Sequence, residues 1–283
     1  MIASIQHNRQ DSEVQAVFAT HSTVIVDELN HENIILARRT PDSRRGFHTE
    51  FSQLEGNFWD KYNLDEYKHN RFFRYRNSDF FFAKYVIVVE SPTDAQVISE
   101  LLRDVLQEKM FFVSVLNLDG IKNLKYPYFL LKSLNIPFSM VVDKDFLTQY
   151  KNDKLSNSRN PITQLPEYKN NANQYNPVIN SIWNSETSRC ELSSKLKQSY
   201  SKLFEYCAAY KLYPMQYCLE MDLVASTEGR AEYCRVMGIP NNDNAYKALL
   251  VDRCESIKEP DKTLQVLGAL TPAKYPYSYR KIR

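Results

Sequence analysis

The sequence predicts an α/β protein with a parallel sheet and an α-rich C-terminal part, on three observations. Residues 85–89 (YVIVV), 110–118 (MFFVSVLNL) and 138–142 (FSMVV) are apolar runs rich in β-branched and aromatic residues, as strands covered on both faces require. Between the first two, apolar residues at 97, 98, 101, 102, 105 and 106 recur with a helical period. Between the last two, 121–135 (IKNLKYPYFLLKSLN) reads as a helix disturbed by Pro127. Strand–helix–strand–helix–strand at this spacing implies right-handed crossovers and parallel neighbours.

In chain order, residues 14–19 (VQAVFA) read as a buried strand ending at Thr20-His21-Ser22, and 33–37 (NIILA) as another, with the short apolar stretch TVIVDEL between them. Residues 38–79 are charged, aromatic and irregular, with RRTPDSRRG as a loop. After the three strong strands, 148–185 carry nine asparagines and three prolines, which predicts a long loop or mobile excursion. Helical patterns follow at 187–211 and 243–257. The tail PAKYPYSYRKIR alternates bases and aromatics, which suits either packing or contact with nucleic acid.

Composition narrows the function classes. Thirty-six Lys and Arg against thirty-four Asp and Glu give +2, so no global basic field advertises nucleic acid. The six glycines never adopt the spacing of a phosphate-binding loop or a dinucleotide fingerprint, which argues against a self-sufficient P-loop NTPase or a Rossmann dehydrogenase. The five cysteines are never closer than eleven residues. That spacing disfavours a zinc knuckle or disulfide framework and fits buried thiols in a reducing compartment. The start, MIASIQHNRQ, has no apolar signal region, and the apolar stretch around 80–89 is too short to span a bilayer. The expected location is the cytoplasm.

The chemistry gathers at strand ends, where parallel α/β sheets place their sites. YVIVV runs into Glu90, with Asp94 four residues on; FSMVV runs into Asp143-Lys144-Asp145. If these strands are neighbours, three or four carboxylates converge, and their repulsion is tolerable only with bound protons or cations. Oxygen donors without nearby His or Cys suit Mg²⁺ or Mn²⁺, and two such metals can drive phosphodiester hydrolysis. A plainer reading stands beside this one. Ser91-Pro92-Thr93-Asp94 is also a helix start, with Ser as N-cap, Pro at the first helical position and an acid facing the helix dipole. Asp119-Gly120 either lets the backbone approach a phosphate or simply ends the second strand.

VIVVESPTDA, followed some fifty residues later by IPFSMVVDKDF, resembles the Toprim domain of topoisomerases, primases, small ribonucleases and OLD-family (overcoming lysogenization defect) nucleases. The stretch VSVLNLDGIKNLKYPYFLLKSLNIPFSMVVDKD is most similar to the OLD group. In addition, QAVFATHSTVIVDEL resembles the end of an ABC-type ATPase domain, which in OLD proteins lies just upstream of the Toprim part. The likeness implies a Toprim-like parallel sheet flanked by helices and an ATPase-terminal segment at 1–40. It further implies a linker at 41–84, a Toprim core with an Asn-rich loop at 85–186, and a helical part at 187–283. It implies metal ligation by Glu90, Asp94, Asp143, Asp145 and Glu220, the last within Tyr217–Leu223 and preferred to Asp222. Lys247 would stabilise charge on the phosphate, and His21 would sense nucleotide held by a partner ATPase.

The departures are specific. Ser91 and Lys144 stand where the family usually has glycine, and no Walker A segment precedes His21. The function that the resemblance implies is a Mg²⁺- or Mn²⁺-dependent two-metal endonuclease acting on nucleic acid, with DNA ahead of RNA as the target and the choice between them left open by the sequence, and with no ATPase activity of its own. It would be the effector part of an antiviral system, a fragment or split subunit that docks on an ATPase chain or on itself, away from membranes. The rival expectation is a non-catalytic Toprim scaffold that binds an ATPase partner or nucleic acid.

Overall fold

The computed structural model describes residues 17–44, 46–65, 78–251 and 260–283. The chain divides into two compact units that alternate along the sequence. The first comprises Met1–Val86, Phe112–Ser114 and Tyr126–Pro137; the second comprises Ile87–Phe111, Val115–Lys125 and Phe138–Arg283.

In the first unit, α1 (Thr23–Asp27) and a 3₁₀ turn (His31–Asn33) precede an antiparallel hairpin, β1 (Leu36–Asp42) with β2 (Gly46–Ser52), and then α2 (Phe58–Lys61). Three expectations are corrected here. Of the strand expected at 14–19, residues 14–16 lie outside the described residues. Val17 and Phe18 are in no strand, and they are 89% and 55% exposed. The strand expected at 33–37 begins at Leu36. The segment RRTPDSRRG, expected as a loop, lies largely in the hairpin, because Arg38, Thr40 and Asp42 face Glu50, His48 and Gly46 across the ladder. Polar side chains hid that strand: beyond Leu36 its half-buried face carries Arg38, Thr40 and Asp42, so the burial alternation is not an apolar one.

Packing in this unit is aromatic. Trp59 and Tyr62 stack on Tyr126 and Phe129, and buried His31 lies edge-on to Phe81 and parallel to Tyr126, whose hydroxyl its Nδ1 meets in a hydrogen bond. Burial lowers the His31 pKa to about 4, so the ring is neutral in the fold.

The main sheet is parallel, with strand order β4 (Val113–Asn117), β3 (Tyr85–Val89), β5 (Phe138–Val142) and β6 (Leu212–Pro214). The three strong strands are neighbours, as the sequence predicts. Val86, Ile87, Val88 and Val89 are all buried, which is why the run is continuously apolar. Following β3, α3 (Pro92–Leu106) buries Val97, Ile98, Leu101 and Leu102. Pro127 falls in the first turn of α4 (Lys125–Ser133), where no intrahelical N–H is required, so the helix begins there undisturbed.

After β5 come the one-turn helix α5 (Lys144–Leu147) and the Asn-rich excursion. The excursion is tied by its own backbone: Lys151 N to Glu167 O (3.0 Å), Lys169 N to Gln149 O (2.8 Å) and Asn160 N to Leu165 O (2.9 Å). It is thus a long irregular loop, laddered on itself and closed by the bridges Tyr150–Tyr168 and Arg159–Pro166. Then α6 (Pro177–Ile182), α7 (Glu186–Leu196) and α8 (Tyr200–Ala208) lead to β6. Beyond it lie α9 (Leu219–Ala225), α10 (Thr227–Met237), α11 (Asp243–Val251), α12 (Pro260–Ala269) and α13 (Tyr277–Ile282). The rest of the helix expected at 243–257 lies outside the described residues. Among the described residues, no helix is long and apolar enough to cross a membrane.

Candidate active site

Each acid is positioned by a specific piece of the second unit. Glu90 directly follows β3. Opposite it, Gly120 (φ +111°) turns the chain after β4 so that its N–H meets Glu90 O at 2.9 Å, and the Ile121 N–H reaches the Glu90 carboxylate. A side chain at position 120 would be strained at this φ. Of the two roles weighed for Gly120, the structure gives it this turn.

Asp94 sits at the third position of α3. Its Oδ2 accepts from Ser91 N (2.9 Å) while Ser91 Oγ accepts from Asp94 N (3.1 Å), a complete capping box. Ser91 has φ −128°, ψ 163°, a conformation open to any residue, so a glycine there is not required. Asp143 precedes α5, and Asp145, within α5, accepts from the Tyr150 hydroxyl at 3.1 Å.

Glu220 arrives from afar in sequence, and β6 brings it. The β5–β6 pairing continues past the strands through Met215 N to Val142 O (2.8 Å) and Lys144 N to Tyr217 O (2.9 Å), which lays residues 215–222 beside Asp143. The Tyr279 hydroxyl donates to Leu219 O at 2.8 Å and holds the start of α9. The C-terminal tail therefore packs: Tyr279 is fully buried and Tyr277 bonds Ser201.

Glu90, Asp94, Asp143, Asp145 and Glu220 are thereby brought together. Burial, then the charges of Asp145, Asp94 and Glu220, raise Glu90 to about 7. Burial and then Glu220 raise Asp94 to about 6. Asp143 is pushed well above the usual range by burial and by Asp94, Glu90, Asp145 and Glu220. Like charges this close and this dry cannot all ionise without a counter-charge.

Asp222, two residues from Glu220, behaves differently. Its two oxygens accept from Gln216 N and Tyr217 N, both at 2.8 Å, so it braces the turn leading into α9. Lys247 lies half-buried on α11 and forms no ion pair with any of the five acids. His21, in the first unit, is exposed beside the Phe82 ring.

Sequence reasoning missed three contributors: the short strand β6, whose Pro214 and three-residue length disguise it, the turn brace Asp222, and the laddering of the loop that carries Tyr150. The loop offered no periodic signal at all.

The donor set fits a hard divalent cation in kind: carboxylate oxygens, concentrated negative charge, and no thiol or imidazole among the five. Among the described residues, no three His, Cys, Asp or Glu side chains stand as a closed ligand set. The hydrogen bonds that Ser91 and Tyr150 make to Asp94 and Asp145 hold those two carboxylates in other work.

Comparison with known families meets this site directly. Residues 81–145 match the family described as Overcoming lysogenization defect protein-like, TOPRIM domain. This stretch is an OLD-like Toprim domain. It contains Glu90, Asp94, Asp143 and Asp145; Glu220 lies outside the match. Among solved structures, the chain is similar to the C-terminal region of the Burkholderia pseudomallei OLD protein (16% identity, TM-score 0.42, covering 71% of this chain and 95% of that one). It is also similar to the C-terminal region of the Xanthomonas campestris pv. campestris OLD protein (16%, TM-score 0.43, 72% and 92%). No curated protein matches the chain. An OLD-like Toprim domain supports a nuclease-type, phosphodiester-acting role.

Proposed function

We propose that the chain is a divalent-metal-dependent endonuclease that hydrolyses phosphodiester bonds in DNA. One observation carries the reading: two neighbouring strand ends and α9 gather five half-buried acids into a mutually repelling cluster, four of them inside the OLD-like Toprim match. Glu90, Asp143 and Asp145, with Asp94 and Glu220 beside them, would hold Mg²⁺ or Mn²⁺ in a two-metal site. When bound, such cations supply an activated water and neutralise the leaving oxygen.

The protein's own residues do the rest. Cation binding must displace protons from Glu90 and Asp94, so metal affinity rises with pH through about 6 to 7. The Ile121 N–H and the Tyr150 hydroxyl orient Glu90 and Asp145. Lys247 is the proposed cation for the phosphate, and it would have to approach the acids upon substrate binding.

The proposed setting is the cytoplasm and antiviral defence, with an ATPase as partner. Exposed apolar side chains in the first unit, Val17, Phe18, Val24 and Ile35, support docking there, and His21 would sense the partner's nucleotide. The absence of a closed ligand set among the described residues favours the second reading, a Toprim scaffold that binds partner or nucleic acid without cutting.

Plasmid cleavage with Mg²⁺ or Mn²⁺, by the chain alone and with the ATPase, separates the two readings. Metal-dependent cutting that disappears in EDTA supports the nuclease. A chain that cuts under none of these conditions, yet co-elutes with the ATPase in light scattering, supports the scaffold.

A further inference from the structure

Beside the acid cluster, the second unit has an open pocket of about 480 Å³, within the range of pockets that seat small ligands. Three lysines line it, 144, 151 and 169, against a single acid, Glu167, together with Tyr168 and Tyr217. The sign of its lining is thus opposite to that of the cluster next door.

The two features are physically joined. Lys144 lies between Asp143 and Asp145, and its Nζ sits over the Tyr168 ring, 5.1 Å from the centroid. Tyr168 stacks on Tyr150 with centroids 5.1 Å apart, and the Tyr150 hydroxyl donates to Asp145. Lys151 and Lys169 are engaged in exposed pairs with Glu167 and Asp153, each at 2.8 Å, which are weak and exchangeable in water. Lys144 differs: the carboxylate that acts on it is Asp222, beyond ion-pair distance, and both oxygens of Asp222 are already taken by backbone N–H groups. A ring face is worth only about 0.5–2 kcal/mol to an ammonium. The half-buried ammonium is therefore under-compensated, and the pocket is where an anion would reach it.

We propose that this pocket binds a backbone phosphate of a DNA strand flanking the scissile bond, with Lys144 as its principal charge and Tyr168 as the surface against which the adjoining sugar or base rests. The inference rests on the nuclease reading for the position of the scissile bond, and on the pocket alone for the contact. Lys144 acts as a positioning residue: it draws the strand across the acids and takes no part in bond cleavage.

The test separates binding from cutting. Anisotropy of a short fluorescein-labelled single-stranded DNA is read on the full chain in EDTA over a range of salt. Lys144→Met is expected to weaken binding roughly 5–10-fold and to flatten the slope of log K against log salt by about 0.7, one phosphate's share. Lys144→Arg should restore both. Tyr168→Leu should weaken binding with the slope intact. With Mg²⁺ present, Lys144→Met should raise KM and leave kcat within about 3-fold.

Should Lys144→Met melt early by circular dichroism, Lys144→Gln carries the same comparison. Unchanged affinity and slope in a folded Lys144 variant, while Glu90→Ala abolishes cutting, overturns the pocket and leaves the nuclease standing. A weakened, flattened response in a chain whose wild type cuts nothing overturns the nuclease and leaves the pocket standing.

Discussion

Asp222 stands two residues from Glu220, the last member of the five-acid cluster, and it answers the cluster's physical problem in the opposite way. Asp222 is buried, 5% exposed, and both its oxygens accept backbone N–H bonds. Burial still lifts it to about 7, but every lone pair that matters is occupied. Glu90 and Asp143 are also withdrawn from water, and their nearest electrostatic neighbours are other acids. One arrangement spends a carboxylate on holding a turn. The other leaves carboxylates repelling one another, a state that costs stability and makes sense when something positive arrives. A buried ionisable group thus reveals its purpose by its partners more than by its depth.

The strongest way to break this comparison is to remove an acid from each side. Glu90→Ala or Asp143→Ala should lower Mg²⁺- or Mn²⁺-dependent cleavage by roughly 10² or more, because each loses a cation ligand. Yet Asp143→Asn should melt higher than wild type without divalent metal, since it relieves a repulsion. Thermal melts in EDTA and initial cleavage rates read both. An Asp143→Asn protein that melts lower would show that the cluster is held together by bonds and is not frustrated.

Asp222→Ala should behave in the reverse sense. Two buried N–H groups lose a charge-assisted acceptor, so a loss of about 3 kcal/mol is expected in urea unfolding. Asp222→Asn should cost less, because one oxygen still accepts while the amide NH₂ faces the other N–H. Equal losses for the two variants would mean that shape, and not hydrogen bonding, is what Asp222 supplies.

These contrasts also mark what the sequence could disclose. YVIVV-E and FSMVV-DKD announced themselves, because a doubly covered strand leaves a continuous apolar run and a strand-end acid has little else to do. Gly120 signalled a turn, though not that the turn would carry Ile121 N–H to Glu90. Nothing local announced β6: three residues, one a proline, become a strand only because β5 offers an edge. Asp222 and Glu220 look alike in LEMDL, and only the register of 215–222 on Val142 and Lys144 gives one the turn and the other the cluster. The β1–β2 hairpin was hidden for the opposite reason, since the half-buried face of β1 is mostly polar or charged and leaves no apolar pattern. Burial and register are tertiary facts, and short elements carry too few residues to encode them.

His31 extends the comparison to the first unit, where a buried base is silenced rather than stressed. Its pKa falls from 6.5 to about 4 through burial. The folded state therefore binds its proton more weakly than the unfolded chain does. The stabilisation is fully present above about pH 6.5 and is lost as pH falls from there towards 4, up to about 3 kcal/mol. Urea midpoints at pH 7 and pH 4.5 measure it. Histidine 31 is its source only if His31→Phe shrinks that difference; an unchanged slope would assign the acid sensitivity to other groups.

The smallest effect sharpens the site's own edge. Ser91 and Asp94 exchange two hydrogen bonds at the start of α3, so Asp94 serves as helix cap while it contributes charge to the cluster. Ser91→Ala removes the side-chain acceptor and should cost about 1 kcal/mol; Ser91→Gly, the residue usual in the family, should cost only a few tenths more or less than wild type, as N-cap scales give. The backbone at Ser91 is extended, so neither change relieves strain. If capping is what serine contributes here, Ala must be the worse of the two in thermal melts. Should Gly prove the more damaging, the chain's freedom before Pro92 matters more than the bond to Asp94. The departure from glycine would then be a device for stiffening the strand end that carries Glu90.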